Sequence, residues 1–149
     1  MMFSYNHHQS LGYLTGLASR LLSHVLALRF QEADIDMTAE QWGALIVLLN
    51  GEASTQGQLA ERLHLEKSSV SRLTNGLERR GWIVRTRDPK DSRQKRVSPT
   101  PKVLDTAEHC ATIARAVLEE AQRGMTEDEM AACKSLLSRV VANLRKPTR

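Results

Sequence analysis

Between Thr55 and Leu77 the apolar residues are spaced so that two short helices joined by a tight turn satisfy them. Leu59, Ala60 and Leu63 share one helical face, and Thr55-Gln-Gly-Gln58 reads as the capping box that opens it. Ala60 is small where two helices would cross closely. His64 falls where the turn needs positive φ, and His is among the residue types enriched there. Leu65 packs the turn. Val70, Leu73 and Leu77 then recur at i, i+3 and i+7, which is one buried face. At 100° per residue, Ser68, Arg72, Asn75 and Arg79 centre roughly 160° away from that face. The second helix is therefore predicted to be apolar on one side and lined with hydrogen-bonding groups on the other. This is the internal pattern of a helix-turn-helix.

Gly81 closes the second helix, and Trp82 to Arg87 alternates in a strand-like way. Asp88-Pro-Lys-Asp-Ser-Arg93 is rich in turn formers, and Gln94 to Ser98 returns as a second strand ended by Pro99 and Pro101. The result is a hairpin with Arg87, Lys90, Arg93, Lys95 and Arg96 at and around its tip. A helix-turn-helix followed by a basic hairpin is the winged variant. Net charge is +4, and its distribution supports the same reading. Residues 61–96 hold eleven Lys/Arg against five Asp/Glu, whereas residues 1–60 hold two against five. Positive charge gathered in one segment is the footprint of a polyanion-binding surface; a merely solvated basic face is the alternative.

An α-helix fits the major groove of B-DNA, where Arg pairs bidentately with guanine. Lys67-Ser68-Ser69 is small and polar at the start of the second helix, so backbone N–H groups there can approach a phosphate. A wing can track the backbone and place an Arg in the narrow minor groove. The candidate DNA-binding residues are Thr55, Gln56, Lys67, Ser68, Ser69, Ser71, Arg72, Asn75, Arg79, Arg87, Asp91, Arg93 and Lys95.

The flanks are helical. Leu11, Leu14, Ala18, Leu21, Val25 and Leu28 form an amphipathic stripe that ends before Glu32–Asp36. Thr38-Ala-Glu-Gln41 is a capping box for a helix holding Trp42, Leu45, Ile46, Leu48 and Leu49, stopped by Asn50-Gly51. A long helix spans about Lys102 to Arg123, Gly124 breaks it, and Thr126-Glu-Asp-Glu129 opens the last one. The expected fold is mostly α with a small β-hairpin wing, in the order α-α-α-α-β-β-α-α. It forms a single domain over 1–149, with 55–100 as the reader and 10–30 and 102–146 as terminal helices. The terminal stripes have no obvious place in so small a core. They are expected to pack against a second copy of the chain, or else to fold back on their own domain.

Several classes are excluded by what the chain lacks. The N-terminal ten residues have no basic patch followed by an apolar run, so no signal peptide is expected. No stretch approaches the ~20 apolar residues of a membrane span. Cys110 and Cys133 do not make a disulfide scaffold or a C-x-x-C zinc site, and a reducing cytoplasm is the expected setting. Both lie on apolar helix faces and read as small hydrophobes. Glu108-His109-Cys110 has no partner at ligand spacing, so no metal is expected. No phosphate loop, paired acid motif or nucleophile elbow appears, so neither enzyme activity nor a cofactor is expected.

The chain resembles the MarR (multiple antibiotic resistance regulator) family over nearly its whole length. The sharpest likeness is the wing signature, Asp-x-Arg, five residues, then Leu-Thr. Here it reads Asp91-Ser-Arg93-Gln-Lys-Arg-Val-Ser-Pro99-Thr100, with Pro99 in place of Leu; Val103 stands where Gly commonly follows Thr-Pro-Lys. Leu59-Ala-Glu-Arg-Leu63, Leu77-Glu-Arg-Arg-Gly81 and Arg85 fit as well. The resemblance implies that Arg93 enters the minor groove and Asp91 helps to hold it. It implies a homodimer, built from the N- and C-terminal helices, on a pseudo-palindromic operator. It also implies a small aromatic or anionic effector at the junction of dimer helices and reader, where Tyr13, Arg20, His24 and Trp42 are candidates by position. Relatives that sense oxidants do so through a thiol near the N-terminal helix, and none occurs there here. The expected function is sequence-specific binding of double-stranded DNA as a repressor, released by an effector. The alternative is a winged helix used only for protein docking.

Overall fold

The computed structural model describes residues 2–145. After a short 3-10 turn at His7–Gln9 come α1 (Leu11–Glu32), α2 (Ala39–Leu49), α3 (Gln56–Leu63), α4 (Lys67–Arg79), β1 (Ile83–Arg87), β2 (Lys95–Pro99), α5 (Pro101–Ala121) and α6 (Glu127–Arg145). The expected order is the observed one. The terminal helical part expected over 102–146 ends on Lys146, which lies outside the described residues.

The chain forms two compact units, residues 1–117 and 118–149. In the first, the core gathers Phe30, Trp42, Leu45 and Leu48 with Leu59, Val70, Leu77, Trp82, Ile83, Val97, Val103 and Cys110. Every element from α1 to α5 contributes, and large-to-small changes at such sites cost ~2–5 kcal/mol. The start of α2 is fixed by a complete capping box. Thr38 Oγ1 accepts from the Gln41 N–H at 3.0 Å, and Gln41 Oε1 accepts from the Thr38 N–H at 3.0 Å. Gly51 alone carries the positive φ (71°) that ends α2; Asn50 is at −82°. His64 has φ 53° and ψ 50°, the left-handed turn expected between α3 and α4.

β1 and β2 pair antiparallel from Ile83↔Pro99 to Arg87↔Lys95. Pro99, expected to end the hairpin, is the last residue of β2, where its missing N–H interrupts no further ladder. Thr100 secures the wing base instead: its hydroxyl donates to the Gly81 carbonyl at 2.6 Å, and its N–H donates to the Trp82 carbonyl at 3.1 Å. On its other edge β2 accepts a stub of a third strand, with the Val97 N–H donating to Ser54 O and a bridge from Thr55 to Arg96.

Two expectations need correction. α1 is 22 residues long, and its most apolar window has a mean hydropathy of 1.2, so length and composition alone are enough for a membrane span. Its leucines and alanines and Val25 raise that mean although Arg20, His24 and several hydroxyl residues interrupt the run. The second correction concerns Cys133, alone of the two cysteines. Cys110 is fully buried, and burial pushes its thiol up, away from reactive thiolate. Cys133 is exposed, because α6 buries none of its residues within one chain.

In the second unit, α6 opens on another complete capping box. The Glu129 N–H donates to Thr126 Oγ1 at 3.1 Å, and the Thr126 N–H donates to Glu129 Oε1 at 2.9 Å. Leu136, Leu137, Val141 and Leu144 are exposed along α6. In the first unit, Leu11, Leu14, Leu21 and Leu28 are exposed along α1.

Candidate nucleic-acid interface

α4 divides as its sequence dictates. Val70 and Leu77 are buried, while Ser68, Arg72, Asn75 and Arg79 are exposed. Ser69 and Ser71 are half-buried at the flanks. No side chain caps the N-terminus of α4, where Glu66 is the N-cap residue, so the first-turn N–H groups from Lys67 on have no side-chain acceptor. Lys67 itself is exposed.

Thr55 and Gln56 sit differently from the rest. Thr55 is buried, and its hydroxyl accepts from the Gln58 N–H at 3.1 Å, so it caps α3 from inside. Gln56 is half-buried: its amide donates to Ser71 Oγ at 3.3 Å, and its carbonyl accepts from Thr74 Oγ1 at 3.2 Å. The hydroxyl of Ser71 is thus already engaged within the protein.

On the wing, Arg87 and Lys95 face each other as the last pair before the tip, and both are exposed. Asp91 Oδ1 accepts from the Arg93 backbone N–H at 3.0 Å and from Arg93 Nε at 3.3 Å. The Arg93 side chain is otherwise 90% exposed. The short loop thus holds an outward-pointing guanidinium by its base. Asp88 closes the tip, with its N–H donating to Gln94 O at 3.0 Å and its carboxylate 3.8 Å from Arg96 Nε.

One group central to this surface was absent from the candidate DNA-binding residues. Arg85, on β1, is only 13% exposed and reaches under α4. Its Nη1 donates to Thr74 Oγ1 at 3.2 Å and to Gln56 Oε1 at 3.4 Å. Its Nη2 donates to Asn75 Oδ1 at 2.6 Å and to Glu78 Oε1 at 3.0 Å. The Arg85 backbone N–H also donates to Glu78 Oε2 at 3.2 Å. The bonded guanidinium holds the Glu78 carboxyl below the usual carboxylate range. Helix and wing are thereby joined through one cation. Sequence spacing does not reveal this, because the cluster joins β1 to partners on two other elements, α3 and α4; only the family resemblance singled out Arg85.

The candidate effector residues do not gather around one cavity. Trp42 is buried, edge-to-face against Phe30 with ring centroids 6.3 Å apart. Tyr13 is half-buried beside His7 and His8, and Arg20 and His24 are exposed on α1. None of the four lines the cavity of about 420 Å³ formed by Ala27, Gln31, Asp34, Ile35, Asp36, Met37, Thr38 and Arg80. None lines the smaller cavity of about 250 Å³ beside Arg29 and His109.

A short helix pair with a polar recognition face, followed by a basic two-stranded wing, defines a winged helix-turn-helix protein. The MarR family model matches residues 35–94, which run from the loop before α2 to the wing tip. An uncharacterised HTH-type transcriptional regulator of Bacillus subtilis, YybA, is 25% identical over 131 residues, covering 88% of this chain and 86% of the relative. The structure of a cysteine-to-serine mutant of E. coli MarR complexed with operator DNA superposes with a TM-score of 0.81, covering 93% of this chain and 99% of that one at 24% identity. That of the PcaV regulator from Streptomyces coelicolor, in complex with its natural ligand, gives a TM-score of 0.79 over 95% and 98% of the two chains at 22% identity. The chain thus resembles MarR-family proteins, by the family model across its winged helix-turn-helix and by fold over most of its length.

Proposed function

We propose that the chain binds double-stranded DNA sequence-specifically, as a homodimer on a pseudo-palindromic operator, and represses transcription there. The observation that carries this reading is the exposed polar face of α4, with its uncapped N-terminus, tied through Arg85 to a wing that presents Arg93. In the proposal, Arg72 and Asn75 read base edges in the major groove, and the first turn of α4 and Arg79 meet phosphates. Arg93, braced by Asp91, enters the minor groove, with Arg87 and Lys95 along the backbone. The operator DNA in the E. coli MarR complex supports the reading by analogy of fold.

The exposed leucines of α1 and α6 support a homodimer, which would set two recognition helices ~34 Å apart on successive major grooves. Release by a small aromatic or anionic effector belongs to the same proposal, supported by the ligand-bound PcaV fold. A cytoplasmic location follows from binding the genome.

Selection of genomic fragments by the full chain tests the reading and supplies the operator. On that operator, Arg72→Ala is expected to weaken binding by ~1–3 kcal/mol and to relax preference at one position. Affinity should also fall steeply as salt rises, because phosphate contacts release counterions. Salt-independent binding, or wild-type affinity after changing Arg72 and Arg93 together, overturns the proposal. No retention of any duplex at low salt would favour a protein-docking role.

A further inference from the structure

We infer that Arg85 dictates which base Asn75 reads, by turning the Asn75 carboxamide so that it offers donors and selects guanine over adenine. The inference rests on the DNA-binding reading above. A guanidinium has only donors, so the Asn75 atom 2.6 Å from Arg85 Nη2 is the oxygen, and the orientation of the amide follows from chemistry alone. Glu78, bonded to the same Nη2, keeps the guanidinium in place. Thr74 and Gln56 hold its other nitrogen.

Asparagine recognises adenine bidentately, its oxygen accepting from N6 while its amide nitrogen donates to N7. At Asn75 the oxygen is committed to a short, charge-assisted bond within the protein. What remains for the groove is Nδ2, which makes no hydrogen bond among the described residues and sits on the exposed face of α4. A cation bonded to the carbonyl also polarises the amide and strengthens its N–H donors. Guanine presents two adjacent acceptors, N7 and O6, whereas adenine places a donor beside its N7. With its oxygen turned to Arg85 and its nitrogen left for the groove, Asn75 therefore favours guanine. Arg85 is a positioning residue here: it acts through Asn75 and is itself mostly buried.

The test is selection from a randomised duplex library by the full chain and three variants at fixed salt, with folding followed by circular dichroism. The wild type should enrich guanine at one position of each half-site. Asn75→Ala should flatten that position alone, with roughly a tenfold loss of discrimination. Asn75→Asp can still accept from Arg85 but offers no donor, so it should lose the guanine preference while keeping the fold. Arg85→Met frees the Asn75 oxygen and should move the preference at that position from guanine to adenine, a change that mere loosening of the wing would not give. Guanine retained by folded Arg85→Met overturns the inference; if that variant does not fold, the two Asn75 variants still test whether Asn75 selects guanine through its donors. Adenine at the position that Asn75→Ala flattens, or no position flattened by it, overturns the inference. Failure of the wild type to enrich any duplex overturns the DNA-binding reading itself, and this inference with it.

Discussion

The Glu78–Arg85 pair shows how one contact at the surface leaves a mark on pH dependence. Arg85 lowers the folded-state pKa of Glu78 below its ordinary value of 4.5. A carboxylate depressed in the folded state stabilises above its unfolded pKa, and that contribution is lost as pH falls through the lower folded value. Glu78 is largely solvated, so the effect is modest. Glu78→Gln is expected to lower the melting temperature at neutral pH and to converge with the wild type in acid, below the ordinary Glu range. Parallel melting curves for the two proteins from pH 7 to pH 3 would show that the pair contributes nothing.

At the scale of the element, α2 depends on its start. Thr38 Oγ1 takes the Gln41 N–H, and Gln41 Oε1 takes both the Thr38 N–H and Arg80 Nη1, the latter at 2.7 Å. Thr38→Ala is expected to cost ~1 kcal/mol, read as a lower urea midpoint at an unchanged slope. A midpoint within error of the wild type would mean that water replaces the cap without loss. This cap and the one at Thr126 were legible in the sequence because donor and acceptor lie three residues apart. The cap at Thr55 was only half legible. The Thr55 hydroxyl does take the Gln58 N–H, but Gln58 Oε1 accepts from the Ser54 N–H at 2.9 Å instead of completing the box. The left-handed turn at His64 and the two faces of α4 were equally legible, since periodicity sets them. The pairing of Ser54 and Thr55 with β2 was not, because it joins segments some forty residues apart without a local pattern. The cluster around Arg85 was hidden for the same reason: its members face one another only after α3, α4 and β1 have packed.

At the scale of the whole molecule, the apolar stripes that the sequence could not place are still exposed in the single chain. Leu21 on α1 is 54% exposed, and Leu137 on α6 is 40% exposed. Neither is part of the core, so a charge at either site should leave the protomer folded. In the proposed dimer each faces a partner helix, where a buried, unpaired carboxylate is costly. Leu21→Glu and Leu137→Glu are therefore expected to shift the protein to monomer in sedimentation. The consequence for DNA follows from linkage of sites. A dimer holding both half-sites gains effective concentration for the second contact, roughly 10²–10⁴ in affinity, and a monomer does not. The variants should thus lose on the order of a hundredfold on a duplex with two half-sites, while binding a duplex with one half-site as the wild type does. If both variants stay dimeric, the interface lies elsewhere on the surface. If they become monomeric yet hold the two-half-site duplex with wild-type affinity, each reader acts alone, and the two-fold operator is not how this protein finds its sites.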